Sequence, residues 1–117
     1  MDLPRPSESA KRFFKTVVPT GSTVTVRPMF GNDAAFTNGN LFMGLFGEDL
    51  FVRLPETEGL ELLKNKGARH FEPMKGRPMK GYFVVPREWR SESDSIRKWV
   101  TISLSWANKL PPKKRKK

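Results

Sequence analysis

Apolar and polar positions along this chain follow two periods, and the changes of period divide it into elements. In "SESAKRFFKTVVP", Ala10, Phe13, Phe14, Val17 and Val18 fall on one face at three- and four-residue spacing, which predicts a first helix. Ser7 stands where a capping hydroxyl is needed, and Pro19 stops the run. The period becomes two at Thr23 to Arg27, with Val24 and Val26 on one face and Thr23, Thr25 and Arg27 on the other, as in a half-buried strand. Pro28 cannot donate a ladder hydrogen bond, so the strand is expected to end there or to lie at an edge.

The stretch "AAFTNGNLFMGLFGEDLFVRLP" predicts a three-strand meander, about Ala34 to Thr37, Leu41 to Phe46 and Leu50 to Leu54. Asn38-Gly39 supplies the positive backbone angles of a tight hairpin, and Gly47-Glu48-Asp49 a second turn. Strict alternation sets Phe42, Gly44 and Phe46 on one face of the middle strand and Leu41, Met43 and Leu45 on the other. Both faces are apolar, so this strand is expected to be central and covered on both sides.

A short helix, "EGLELLKNKG", is expected to be capped by Thr57, to turn Leu60, Leu62 and Leu63 inward, and to end at Gly67. "ARHFEPMKGRPMKGYFVVP" reads as a basic loop running into a last strand, Gly81 to Val85, closed by Pro86. From about Ser93, the spacing of Ile96, Trp99, Val100, Ser103, Trp106 and Ala107 predicts a long final helix reaching Leu110, where Pro111-Pro112 make continuation costly. The order of elements predicts an α+β fold: an antiparallel sheet flanked by N-terminal, middle and C-terminal helices.

Length and composition narrow this further. A chain of 117 residues, 37% hydrophobic with nine Phe and three Trp, suits one domain. The domain is expected to span 7–110, between a flexible 1–6 and a disordered basic tail, 111–117. The absence of cysteine removes disulfides, thiolate metal sites and thiol catalysis, and a reducing cytoplasm is the expected compartment. "MDLPRPSESAKR" has no apolar stretch after its charges, and the apolar run "LFMGLF" is broken by glycine. Neither a signal peptide nor a membrane span is expected. Twenty-two Lys and Arg against twelve Asp and Glu give a formal charge of +10. Half of it sits in Lys113, Lys114, Arg115, Lys116 and Lys117. Such a balance favours polyanionic partners.

Candidate chemistry is sparse. With one histidine and no cysteine, nucleophilic catalysis would have to be built on His70, and no nucleophile elbow is near it in sequence. The plainer reading is a loop histidine between Arg69 and Phe71. No HExxH, CxxC or EF-hand spacing is present, and neither is GxGxxG or GxxxxGK[ST], so no metal or cofactor is expected. In "MKGRPMKGYF", Lys75, Arg77 and Lys80 precede Tyr82 and Phe83, a combination that can hold phosphates and stack a base. The plainer reading is a wet turn followed by core aromatics.

"RPMFG", Arg27 to Gly31, is followed by "NGNLFMGLFGEDLFVRLPE", "GARHFEP", "MKGYFVVP" and a tryptophan-containing last helix. In this order and spacing, over roughly Val24 to Leu110, the chain resembles the N-terminal domain family of the competence regulator TfoX, also called Sxy. The resemblance implies a small α+β domain, often found alone in short bacterial proteins, with no established enzyme activity. It marks Arg27, Met29, Phe30 and Gly31 as the family motif. Full-length regulators carry a second, helical domain, for which this chain has no room after Leu110, and it is expected to be a stand-alone member. Met29 and Phe30 read as core, Gly31 as a bend or bulge, and Arg27 as a strand-end cation that either pairs with a carboxylate, the plainer reading, or presents its fork to an acidic partner.

Three functions follow as expectations. The first is a non-enzymatic regulatory module acting through protein–protein contacts with an unidentified partner, as a monomer or homodimer and away from the membrane. The second is weak, sequence-nonspecific nucleic-acid binding through Lys75, Arg77, Lys80 and the tail cations 113–117. The third is a small hydrolase or RNA-modifying enzyme using His70 with a carboxylate.

Overall fold

The computed structural model describes residues 5–21, 23–29, 32–74, 76–91 and 93–111. The chain forms α1 (Glu8–Val17), β1 (Val24–Met29), β2 (Asn32–Thr37), β3 (Asn40–Phe46) and β4 (Asp49–Arg53). It continues through α2 (Glu56–Leu63), β5 (Arg69–His70), β6 (Tyr82–Val84), a 3-10 helix at Arg87–Ser91 and α3 (Ser93–Lys109). The strands form one six-stranded sheet in the order β1-β2-β3-β4-β6-β5, with every described neighbour pair antiparallel. The fold is α+β.

Local chemistry accounts for most of these elements. The Ser7 hydroxyl accepts the Ala10 N–H at 3.1 Å and caps α1, which buries Ala10, Phe14 and Val17. Asn38 and Gly39 both have positive φ, 51° and 82°, as the tight β2–β3 turn requires. β1 continues through Pro28 to Met29, and it is an edge strand, so the proline sits where a sheet tolerates one.

All three helices lie on one face of the sheet. Phe14, Leu62, Ile96 and Trp99 pack there with Met43, Leu45 and Val52 of the central strands. The other face buries Ala34, Leu41, Phe51 and Val84 under Phe71, which comes from the segment after β5. β3 is therefore central and covered on both sides, with the second cover supplied by a loop segment.

The structure departs from the sequence-based expectations at several places. Ala35 pairs with Met43 but Phe36 with Leu41, so Phe42 is an extra residue in β3. This bulge moves Phe42 to the helical face beside Met43 and leaves Leu41 on the opposite face with Gly44. α2 starts two residues earlier than expected, at Glu56. Pro55 is its N-cap without a side-chain bond, and Thr57 lies inside the first turn. Gly59 and Leu62 form its buried stripe, leaving Leu60 55% exposed. Finally, Arg69 and His70 form a short strand within the expected basic loop. Val26 also departs from its half-buried expectation: Val24 reaches the helical core, whereas Val26 is 49% exposed.

The expected loose ends fall largely outside the described residues. Pro111 is described, and its carbonyl accepts a hydrogen bond from Asn40 Nδ2 at 3.1 Å. No described helix is long and apolar enough to cross a membrane.

Candidate functional site

The β1–β2 register places Arg27 opposite Ala34 and Met29 opposite Asn32, which puts both family-motif side chains on the helix-free face. Arg27 has no carboxylate partner among the described residues. Its guanidinium lies 4.2 Å over the Phe36 ring, and its Nε is buried without a hydrogen-bond partner. The expected ion pair is thus replaced by a cation–aromatic contact. Met29 is half-buried against the same apolar cluster. Phe30 and Gly31 lie outside the described residues. Further across the face, Arg53 sits 5.5 Å from the Tyr82 ring, and the Tyr82 hydroxyl donates to the Leu41 carbonyl at 3.2 Å. Burial pushes the Tyr82 phenol above its ordinary value of 10.0, against the opposing pull of Arg53.

The remaining candidates gather at the opposite end of the sheet. His70 is exposed on β5, with its ring 5.1 Å from that of Phe83. Arg77 and Lys80 are exposed in the following segment, where Arg77 N–H closes a turn onto the Met74 carbonyl at 2.8 Å. β1 and β5 are five strand steps apart, roughly 24 Å at the usual spacing. Arg27 therefore does not join Arg77 and Lys80 in one patch. Lys75 and the tail cations 113–117 lie outside the described residues.

Two cavities meet at His70. One, about 680 Å³, lies between α2 and the segment before β6, walled by Leu60, Pro78, Met79 and Phe83, with Glu72 and Lys80 among its lining. The other, about 330 Å³, has Phe46, Phe51 and Phe71 as an aromatic floor and Arg69, Asp49 and Glu72 in its lining. Phe71 stacks on Phe51 with ring centroids 4.1 Å apart, which anchors the segment following β5 to the sheet.

Charged clamps hold this end together. Asp49 receives Arg69 at 2.7 Å and Arg87 at 2.9 Å, so two guanidinium groups share one carboxylate. Its neighbour Glu48 accepts the Ser7 N–H at 2.7 Å and the Ser7 hydroxyl at 3.0 Å, and also pairs with Arg90 at 3.2 Å. These bonds from Ser7, with Arg90 behind them, hold the Glu48 carboxyl below its ordinary value of 4.5, although partial burial works in the other direction. The sequence pattern marks Glu48-Asp49 as turn residues only. The available signal was the pair of acids between two apolar strands in a chain rich in arginine. β5, only two residues long, carries no such signal.

Of the three tryptophans, Trp99 is buried, and Trp89 and Trp106 are half-buried. No exposed indole marks a partner surface. No described group of His, Asp and Glu has the arrangement of a metal site.

Sheet order, helical cover on one face and a platform free of helix on the other define a small α+β domain. The model of the TfoX N-terminal domain family matches residues 17–107, more than three quarters of the chain, and the chain belongs to that family. Among curated proteins, none matches it.

Proposed function

We propose that this domain is a non-enzymatic regulatory module that works through protein–protein contacts in the cytoplasm, in keeping with the competence-regulation theme of its family. The observation that carries the reading is the apolar cavity at the β5 end of the sheet, bordered by the exposed Leu60. A large exposed leucine beside a preformed apolar cavity is what a partner's side chain can cover, and burying it is worth roughly 1.5–3 kcal/mol. The cavity rests on a rigid base, because α2 packs on Phe83 of the sheet.

Affinity capture from a nuclease-treated extract, using the whole chain and Leu60→Asp, tests this. The expected result is a protein partner that survives nuclease treatment and is lost with Leu60→Asp while the circular dichroism spectrum is unchanged. Capture that depends on nucleic acid would contradict it. The nucleic-acid reading would gain instead from direct oligonucleotide binding whose log affinity falls against log salt with a slope of roughly −4 to −7.

A further inference from the structure

The two edges of the sheet differ in the backbone groups they turn outward. On β1, the bond from Asn38 N–H to the Thr23 carbonyl fixes the phase of the ladder: Thr25, Arg27 and Met29 bond toward β2, while Val24, Val26 and Pro28 face out. Pro28 has no N–H, so this outward row is interrupted at its position.

On β5 the phase is fixed from two sides. Val85 N–H donates to the Leu50 carbonyl and Leu54 N–H to the Gly81 carbonyl, both at 3.0 Å, so Phe83 bonds toward β4. Tyr82 and Val84 then turn toward β5, and Phe71 N–H donates to the Tyr82 carbonyl at 3.0 Å. His70 therefore directs both its N–H and its C=O away from the sheet. The Ala68 C=O and Glu72 N–H flank it on the same side. None of these four groups has a hydrogen-bond partner among the described residues.

We infer that β5 accepts an extended segment of a partner protein as an added strand, with its apolar side chains at every second position and Asp or Glu between them. The inference rests on the protein-binding reading above and names the kind of segment bound. Successive side chains of an added strand point to opposite sheet faces. Those on the helical side enter the cavity of Leu60, Met79 and Phe83. Those on the other side meet Arg69, which is 57% exposed and shares Asp49 with the 63% exposed Arg87. The two guanidinium groups stand over an Asp49 that is only 15% exposed, with Glu72 as the other acid of that lining, so exposed arginine is what an added strand meets on this side. An acidic side chain is the complement.

The test is a displayed library of peptides of about eight residues that alternate Val, Ile or Phe with Asp or Glu, compared with one that alternates the same residues with Lys. Binders are titrated into the labelled whole chain, and backbone amide shifts are followed. Acidic alternating peptides are expected to be selected and to shift the His70 and Glu72 amides. His70→Pro removes one outward donor at a position where an edge strand tolerates proline, and is expected to weaken binding about tenfold. A peptide N-methylated at the residue bonded to His70 tests the same contact on unaltered protein, with the same expected loss.

Binding unaffected by both changes overturns the inference, as does selection of the Lys library or a footprint on β1. Self-association of the chain that shifts the His70 amide without peptide also overturns it, since the occupant would then be a second copy. If a captured protein is lost with Leu60→Asp but indifferent to His70→Pro, the protein-binding surface stands and strand addition fails.

Discussion

Ser103 lies fully buried on α3, and its hydroxyl joins two backbone groups that the sheet leaves unpaired. It donates to the Phe42 carbonyl at 2.6 Å and accepts the Arg53 N–H at 3.2 Å, where the bulged β3 parts from β4. Ser103→Ala strands both groups away from water, and the expected loss is about 2–4 kcal/mol in denaturant unfolding. A loss below about 0.5 kcal/mol would mean that the hydroxyl is not what satisfies them. Gly59 is a second position where one atom decides. A Cβ there would lie 2.2 Å from Phe83 Cζ. Alanine gains about 1 kcal/mol in helix propensity, but overpacking a buried ring costs about 1–3 kcal/mol. Gly59→Ala is therefore expected to lower stability and, by lifting α2, to alter the cavity at Leu60. The periodicity placed Ser103 on the inner face of its helix. It could not reveal why a hydroxyl belongs there, because the need arises from a bulge some sixty residues away in the chain.

At the scale of elements, the turn between β3 and β4 ties the sheet to both ends of the helical layer. Glu48 holds the N-terminus of α1 through Ser7 and the 3-10 helix through Arg90. Because its folded carboxyl sits below the ordinary 4.5, the unfolded chain takes up the proton first as the medium acidifies. The clamp's contribution is thus complete above pH 4.5 and is lost as pH falls through the lower folded value. Melting temperatures from pH 7 to pH 3 should fall more steeply for the native chain than for Glu48→Gln below that point. Parallel curves would remove the clamp from the account. The helices and the β2–β3–β4 meander were legible because each follows one period or carries its own turn residues, as Asn38-Gly39 does. β5 was not, since two residues cannot show a period and its pairing with β6 is made across a loop. Thr57 and Leu60 were misplaced for a related reason. Close approach of Gly59 to Phe83 sets the rotation of α2, and that contact has no local trace in the sequence.

Across the whole molecule, charge and shape divide the labour. The family-motif arginine is occupied by Phe36 at one edge of the sheet, while cavities, exposed leucine and unpaired backbone gather at the other. The sequence held the ingredients of that second region, but as a basic loop and a helix face, and only the fold brings Leu60, Arg69 and His70 together. The basic tail is a separate matter. Pro111 is still tied to Asn40, so truncation after it, removing 112–117, is expected to change stability by less than about 0.5 kcal/mol and to weaken only salt-sensitive binding. A large loss of stability would show that the domain reaches further than Pro111. The most direct test of the central claim is amide hydrogen exchange of the whole chain with and without its captured protein partner. Slowed exchange centred on residues 68–72 and on α2, with β1 unchanged, is the predicted result. Protection centred on β1 and Arg27, with 68–72 unchanged, would contradict it.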